Sequence, residues 1–295
     1  MRLKLRLGQI LDQARNVLDE NVRDHISAYI AGEINEDGGF KARDGKSDLY
    51  YTWFGLQCMR AFKIKVPADC IGNYLKALDT ENLDPVHTAA FIQCRIMLQN
   101  TWIKQLWNIM QVRSSLQTIL NTRSVYETFL AYMTMADLGF SVFRQKHISE
   151  LLKNHRTPDG GYSDQKGCRT GTTTVTAAAC ILHRSLGHPA DPETGDWLLH
   201  QLHARGGFLA HPDAPLPVLL STATALLAFS VLGVTLNQKQ IADCWEFVET
   251  VWCENGGFSA HLLDEQADIE YTFYGLMCMG LLGRMSGGDA QNMEE

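Results

Sequence analysis

The sequence predicts an all-α fold, an (α/α)6 toroid built from six helical hairpin repeats. Six short polar clusters each open an apolar helical stretch, and each cluster contains an anchor threonine: Thr52, Thr88, Thr128, Thr176, Thr222 and Thr272. The anchors are 36 to 50 residues apart, a spacing typical of stacked helical hairpins. Four repeats also carry a Gly-Gly-aromatic turn before the anchor, with its second glycine at Gly39, Gly161, Gly207 and Gly257.

The elements follow in a regular order. Apolar residues recur near helical spacing over residues 7–31, which predicts a lead-in helix. Each anchor then opens a helix that is apolar on nearly every face, such as Ala223 to Phe229, and this pattern indicates burial all round. The helices between them, such as Lys239 to Val251, have a polar face and are expected outside. Six buried helices alternating with six outer ones favour a closed ring, because an open array needs polar caps at both ends.

This repeat predicts one toroid domain over residues 1–285. The second repeat is degenerate, since it lacks the Gly-Gly turn. Residues 286–295 are small and acidic and are expected to form a flexible tail.

Composition limits the function classes. The net charge of −7 and the lack of a basic stripe argue against a nucleic-acid partner. No stretch reaches the roughly 18 apolar residues of a membrane span. The eight cysteines are scattered without a CxxC pair, and five of them lie in apolar helical stretches. Buried, reduced thiols in a cytoplasmic protein are therefore expected.

The residues just before the anchors are expected to gather at one mouth of the ring. Acidic, aromatic and imidazole side chains concentrate there in repeats one, two, three and six, which form one arc if the ring closes. The candidates are Asp48, Tyr51, Asp84, His87, Glu127, Asp268, Glu270 and Tyr271. Aspartates at helix starts are also ordinary caps. Capping explains Glu270, Glu127 and His87 less well, because one acid or base per helix would satisfy it.

Aromatic residues in the buried helices are the candidate walls of an apolar pocket below this arc. They are Trp53, Phe54, Phe91, Phe129, Phe273 and Tyr274. Such a pocket suits a hydrophobic ligand with one reactive or charged end. Peripheral contact with a membrane surface is compatible with that ligand, and no feature identifies a protein partner.

At these residues the chain resembles the prenyltransferase and squalene-cyclase repeat family, which joins Gly-Gly-Phe turns to acidic-aromatic-Thr helix starts. The resemblance covers roughly residues 30–285 and is strongest in the final repeat, from Gly256-Gly257-Phe258 to Gly283. It implies a six-hairpin α/α barrel with an isoprenoid pocket in its centre.

The transferase branch of this family uses zinc to activate a thiolate, held in protein prenyltransferase β subunits by Asp, Cys and His. The matching positions here are Val218, Leu220 and Tyr271, none of which is a competent zinc ligand of the expected type. The resemblance therefore does not imply a zinc site, and no other His or Cys group in the sequence shows metal-ligand spacing. Mg²⁺ is expected only with a bound diphosphate. Lys166 and Arg169 are the candidates for holding a diphosphate, or else plain solvated surface.

The cyclase branch carries an Asp-x-Asp-Asp-Thr motif whose middle acid delivers a proton. The matching segment keeps the first acid as Asp268, has Glu270 in the middle, and replaces the third by Tyr271. Burial in an apolar pocket raises the pKa of a carboxyl group and keeps it able to donate a proton. Aromatic walls would stabilise carbocations.

The preferred hypothesis is an isoprenoid-acting enzyme of the terpene cyclase type with Glu270 as general acid. Asp268 and Asp48 would support that acid, Tyr51, Tyr271 and His87 would position it or remove a proton at the end, and Glu127 completes the candidate group. Two alternatives stay open. One is a zinc-independent, prenyltransferase-like enzyme that joins an isoprenyl diphosphate to an acceptor, and the other is a non-catalytic isoprenoid-binding toroid.

Overall fold

The computed structural model describes residues 3–98, 122–138, 145–189 and 191–287. Most of the predicted tail, from residue 288 onward, lies outside these ranges. Within them the chain forms twelve helices and one two-stranded antiparallel sheet. The helices are α1 (Leu3–Val17), α2 (Glu20–Gly32), α3 (Leu49–Ala61), α4 (Ala68–Ala77), α5 (Pro85–Leu98), α6 (Val125–Asp137), α7 (Gln145–His155), α8 (Thr173–Ser185), α9 (Pro192–His200), α10 (Leu219–Leu232), α11 (Gln238–Thr250) and α12 (Ile269–Ser286). The strands are β1 (Phe40–Lys41) and β2 (Ser47–Asp48).

Six helices form a closed inner ring, in the order α3, α5, α6, α8, α10 and α12. Each packs against the next, and α12 packs against α3. All six begin within four residues before an anchor threonine, so their first turns lie at the same end of the ring, which we call the mouth. The predicted toroid is confirmed, and repeat six lies beside repeat one as the arc requires.

The Gly-Gly turns join this ring to the outer layer. Each turn packs its two glycines against two residues, four apart, on the outer helix of the following repeat. The pairs are Cys70 and Tyr74 on α4, Glu193 and Trp197 on α9, Asp243 and Phe247 on α11, and His25 and Tyr29 on α2. Because the last turn packs against α2, that helix completes the outer layer between repeats six and one.

The anchor threonines hold each turn to its inner helix. The hydroxyl of Thr52 accepts the backbone N–H of Phe40 at 3.0 Å and donates to the carbonyl of Asp48 at 2.6 Å. Thr222 makes the same two bonds in repeat five, to Phe208 and Val218. A side chain that both accepts from the turn and donates within its own helix satisfies buried polar groups at a tight junction. This explains why the repeat signature contains a threonine at this place.

The predicted lead-in helix is two helices. Asp19 interrupts it, because its side chain caps α2 by accepting the backbone N–H of Val22 at 2.9 Å. The first helix, α1, packs against α12, α3 and α6. Since α12 and α6 lie on opposite sides of the ring, α1 crosses the ring axis. It meets α12 at Gly280, where the backbone of Ile10 comes so close that no Cβ would fit, so it lies beneath the ring at the end away from the mouth.

The cysteines predicted to be buried in helices are buried as free thiols: Cys58, Cys94, Cys180, Cys244 and Cys278. Within the described ranges, no helix combines the length and the apolar character that crossing a membrane requires.

Candidate functional site

Aspartates at the mouth cap the inner helices, as one interpretation of the sequence expected. Asp48 accepts the backbone N–H groups of Tyr50 at 2.8 Å and Tyr51 at 3.0 Å. Asp268 accepts that of Tyr271 at 2.8 Å. In each case one carboxyl oxygen makes the cap and the other bonds a cation from a different repeat. Capping alone therefore does not account for these residues.

His87 is the cation between repeats one and two. Its Nδ1 lies 2.7 Å from Asp84 Oδ2, and its Nε2 lies 3.2 Å from Asp48 Oδ2. The bond to Asp48, with Asp84 adding to it, raises the pKa of His87 to about 9 against the opposing effect of burial. The ring is thus protonated at neutral pH and donates from both nitrogens. An imidazolium that donates from both nitrogens has no free lone pair, so this arrangement favours a positioning role for His87 over the removal of a proton.

The His87 bridge is expected to make stability depend on pH. A base whose pKa is raised by folding stabilises the folded state fully below its ordinary value of 6.5, and that contribution disappears as pH rises through about 9. Urea unfolding of His87→Gln should therefore show a larger deficit against wild type at pH 6 than at pH 10. His183, whose pKa is lowered by burial, is the matched control, because its variant should lack this trend. Equal deficits for His87→Gln at both pH values would contradict the bridge.

Arg43 is the cation between repeats six and one, and the sequence did not indicate it. Its Nε lies 2.7 Å from Asp268 Oδ2, and its Nη2 lies 2.6 Å from Asp264 Oδ2. Its guanidinium carbon lies 5.2 Å from the ring centroid of Tyr271. Tyr271, expected to position the acid, is therefore placed beneath Arg43. With its cap bond and this ion pair, Asp268 is stabilised as a carboxylate even though burial raises its pKa.

Glu270 is the carboxyl group best suited to hold a proton. It lies in the first turn of α12 and is half-buried. Burial raises its pKa to about 7, repulsion from Asp268 adds to this, and Asp48 contributes further. The hydroxyl of Tyr51 and the charge of Arg43 act in the opposite direction. From the sequence we expected Asp48 and Asp268 to lie near Glu270. Both carboxylates act on the pKa of Glu270, so both lie close enough to repel its charge.

Three phenols converge beside Glu270, and sequence reasoning did not select two of them. The hydroxyls of Tyr50 on α3 and Tyr126 on α6 lie 2.9 Å apart. Tyr274 adjoins both, and burial raises the pKa of all three. Tyr50 and Tyr126 occupy the same place as Glu270, two residues before an anchor. That shared register was the available signal.

The predicted aromatic walls are only partly brought together. Trp53, Phe54, Phe273 and Tyr274 form one cluster with ring centroids 4.8 to 5.5 Å apart. Phe129 stands apart from it, 6.5 Å from Tyr126. Phe91 is buried and faces the guanidinium of Arg95 at 5.8 Å.

Trp53 and Phe129 keep accessible surface, whereas Phe54 and Phe273 are buried. Trp53 also donates its Nε1 to Gln93 at 2.9 Å, a polar partner that the sequence did not indicate.

The remaining candidates lie at the edge of the arc. Glu127 is half-exposed in the first turn of α6, and burial raises its pKa, with repulsion from Asp164 and Asp84 adding to this. Lys166 and Arg169 are exposed in the loop before α8, and in the described part of the chain neither bonds to the arc. Among the described residues no group of His, Cys, Asp and Glu is placed to hold a metal ion. The expected lack of a zinc site stays a prediction.

Comparison with known proteins places the chain in a family. The model of the prenyltransferase α/α toroid domain matches residues 7–92, 75–188 and 175–295. The chain belongs to this prenyltransferase toroid family. A comparison with curated proteins found no match.

Solved structures share the fold at low sequence identity. One is the Candida albicans protein geranylgeranyltransferase-I complexed with GGPP, with a TM-score of 0.62, 11% identity, and coverage of 97% of this chain and 93% of that one. Another is a variant of the type II terpene cyclase MstE from Scytonema in complex with geranylgeranyl dihydroxybenzoate, with a TM-score of 0.61, 12% identity, and coverage of 94% and 99%. Both branches of the family are therefore represented among its structural neighbours, and both of these proteins bind isoprenoid compounds.

Proposed function

We propose that this protein is an isoprenoid cyclase that starts its reaction by protonating the substrate from Glu270. The observation that carries the proposal is a half-buried carboxyl group with a pKa raised to about 7, at the mouth of an aromatic-lined ring. At neutral pH a substantial fraction of this group is protonated. A general acid is most effective when its pKa lies near the working pH.

The mechanism assigns each step to groups at the mouth. Glu270 gives its proton to a terminal alkene or epoxide of the bound isoprenoid, and a carbocation forms as the carboxylate is left behind. An internal double bond of the same chain then attacks that cation and closes a ring. Trp53 and Phe129, which keep accessible surface one helical turn below the level of Glu270, attract the positive charge to their rings. The cation then loses a C–H proton to water, which ends the reaction, and a proton from solvent restores Glu270.

Arg43 and His87 support this chemistry without touching substrate. Arg43 holds Asp268 as a carboxylate, and His87 does the same for Asp48. Two fixed negative charges near Glu270 favour its protonated form. The carboxyl that carries the proton is thereby distinguished from its neighbours.

The charge of the mouth supports a cyclase over a diphosphate-using transferase. In the described part of the arc, four aspartates (Asp48, Asp84, Asp264 and Asp268) share two bonded cations, Arg43 and His87. A diphosphate would meet a net negative surface. The proposed substrate therefore has an uncharged head, and an isoprenyl diphosphate is the less favourable alternative.

Product analysis tests the proposal. Purified protein incubated with uncharged C10 to C30 isoprenoid polyenes or epoxides, and no acceptor, is expected to yield a cyclic isomer detectable by gas chromatography and mass spectrometry. A parallel reaction supplies isoprenyl diphosphates with small acceptors. Products found only in the second reaction would contradict the cyclase and favour the transferase.

A further inference from the structure

The accessible interior of the ring is shallow. All six positions two residues before the anchors are half-exposed: Tyr50, Val86, Tyr126, Thr174, Leu220 and Glu270. Seven residues later, two helical turns down on the same helix face, all six positions are buried: Gln57, Gln93, Met133, Ile181, Leu227 and Met277. Their exposure runs from 2% at Met277 to 9% at Gln57. We call these six residues the floor layer.

The N-terminal helix lies directly beneath the floor layer. Its Ile10 meets α12 at Gly280, one turn below Met277, and its buried face consists of Leu7, Ile10, Leu11 and Ala14. Because α1 contacts both α12 and α6 across the ring, it blocks the axis that a longer ligand would follow. The floor therefore has a second layer of packed protein beneath it.

We infer that the ring accepts a short isoprenoid, of the C10 to C15 class, and excludes the lower part of longer chains. This inference rests on the proposed function, since it concerns the ligand of the same mouth. Seven residues of helix rise about 10 Å. One isoprene unit adds four carbon–carbon bonds of about 1.5 Å each, which is about 5 Å of extended chain. Two such units match the rise from Glu270 to the floor layer and would run along Trp53 and Phe129, which keep accessible surface at the intervening level where Phe54, Phe273 and Tyr274 are buried. A third unit lies at the mouth.

Binding measurements on the intact protein test the depth without requiring catalysis. Prenyl alcohols of C10, C15 and C20 are titrated while tryptophan fluorescence is followed, and Trp53→Phe identifies the signal from the mouth. Five more buried carbons would tighten binding by roughly 100-fold or more if they entered the ring. We expect the C20 alcohol to bind no more than about threefold tighter than the C15 alcohol, because its last unit stays in solvent.

A pair of adjacent leucines on α10 gives a matched comparison. Leu227 belongs to the floor layer, while Leu226 is equally apolar and buried but points about 100° away around the helix. Leu227→Ala should deepen the pocket and improve C20 binding about tenfold relative to C10, whereas Leu226→Ala should leave the ratio unchanged. Both leave a cavity in the core, so urea unfolding of the two variants checks that they are similarly destabilised.

The outcomes separate the two ideas. Wild-type binding that strengthens 100-fold from C15 to C20 would overturn the shallow floor and leave the isoprenoid assignment standing. The shallow floor would also be overturned if Leu226→Ala and Leu227→Ala changed the ratio of C20 to C10 binding affinity equally. Failure of every alcohol to bind would overturn the isoprenoid assignment itself, and the inferred chain length with it.

Discussion

Glu270→Gln is expected to reduce turnover of the cyclised substrate by about 10²- to 10⁴-fold, the usual effect of losing a general acid. Glutamine keeps the shape and the hydrogen bonds of the side chain but has no proton to give. Wild-type kcat/KM should also fall as pH rises through about 7, where Glu270 loses its proton. Steady-state kinetics with product analysis measures both effects.

Glu33→Gln is the control for this substitution. Burial also raises the pKa of Glu33, and repulsion from Asp268 adds to this. The residue follows α2 and pairs with Lys41 instead of lying in the first turn of an inner helix, so turnover should change by no more than a few-fold. Turnover of Glu270→Gln within a few-fold of wild type would show that the mouth residues serve as caps or ligand-positioning groups instead.

Glu270→Gln should lower activity but raise the stability of the folded protein above neutral pH. A carboxyl whose pKa is raised by folding stabilises the protein below its ordinary pKa and loses that contribution as pH rises through about 7. Above that pH the wild type keeps a partly buried negative charge that glutamine lacks. A more stable Glu270→Gln at pH 8, with little change at pH 4.5, would mark the site as one where function is kept at a cost in stability.

Gly206→Ala is expected to destabilise the protein by about 3 to 5 kcal/mol, the largest effect of any single methyl group in the turns. Its φ of +80° is unfavourable for alanine, and the new Cβ would overlap the backbone carbonyl of Asp243 on α11. Gly187 provides the control, because its φ is +79° but the space around it is open. Gly187→Ala should cost only about 1 to 2 kcal/mol, the strain of the left-handed conformation.

Urea unfolding of both variants, fitted with a common slope, measures the difference. If the two alanine variants lose the same stability, the close packing of the Gly-Gly turn against α11 contributes nothing measurable. A larger loss at Gly206 would show that each turn is a rigid contact between neighbouring repeats.

The fold could be predicted because its signals are local and repeated. A threonine, a glycine pair and an apolar helix recur within about one hairpin length, and each carries a bonding pattern that the structure shows directly, as with Thr52 and Phe40. The break in the lead-in helix also had a local signal, since Asp19 is a good N-cap residue. That signal was outweighed because apolar residues continue at helical spacing both before and after Asp19.

The site was harder to predict because its decisive contacts join distant parts of the chain. Arg43 and Asp268 are 225 residues apart, and nothing near Arg43 distinguishes it from any loop arginine. His87 was recognised, but its two aspartate partners determine its protonation, and one of them lies 39 residues away. The placement of Glu270 was predictable from register, whereas the charges that set its pKa depend on how the ring closes.

Ring closure has a consequence for how the chain is made. The first helices, α1 and α2, find their partners in α12 and in the turn at Gly256, which are synthesised more than 200 residues later. Translation adds about 5 to 20 residues per second. The apolar faces of the first repeat therefore stay exposed for tens of seconds before their partners are made. An open solenoid could fold repeat by repeat during synthesis. In this ring, repeat one cannot complete its packing until repeat six has been made. A circular permutant that begins at another repeat would preserve the same contacts between repeats. It would change which hairpin stays incompletely packed during synthesis.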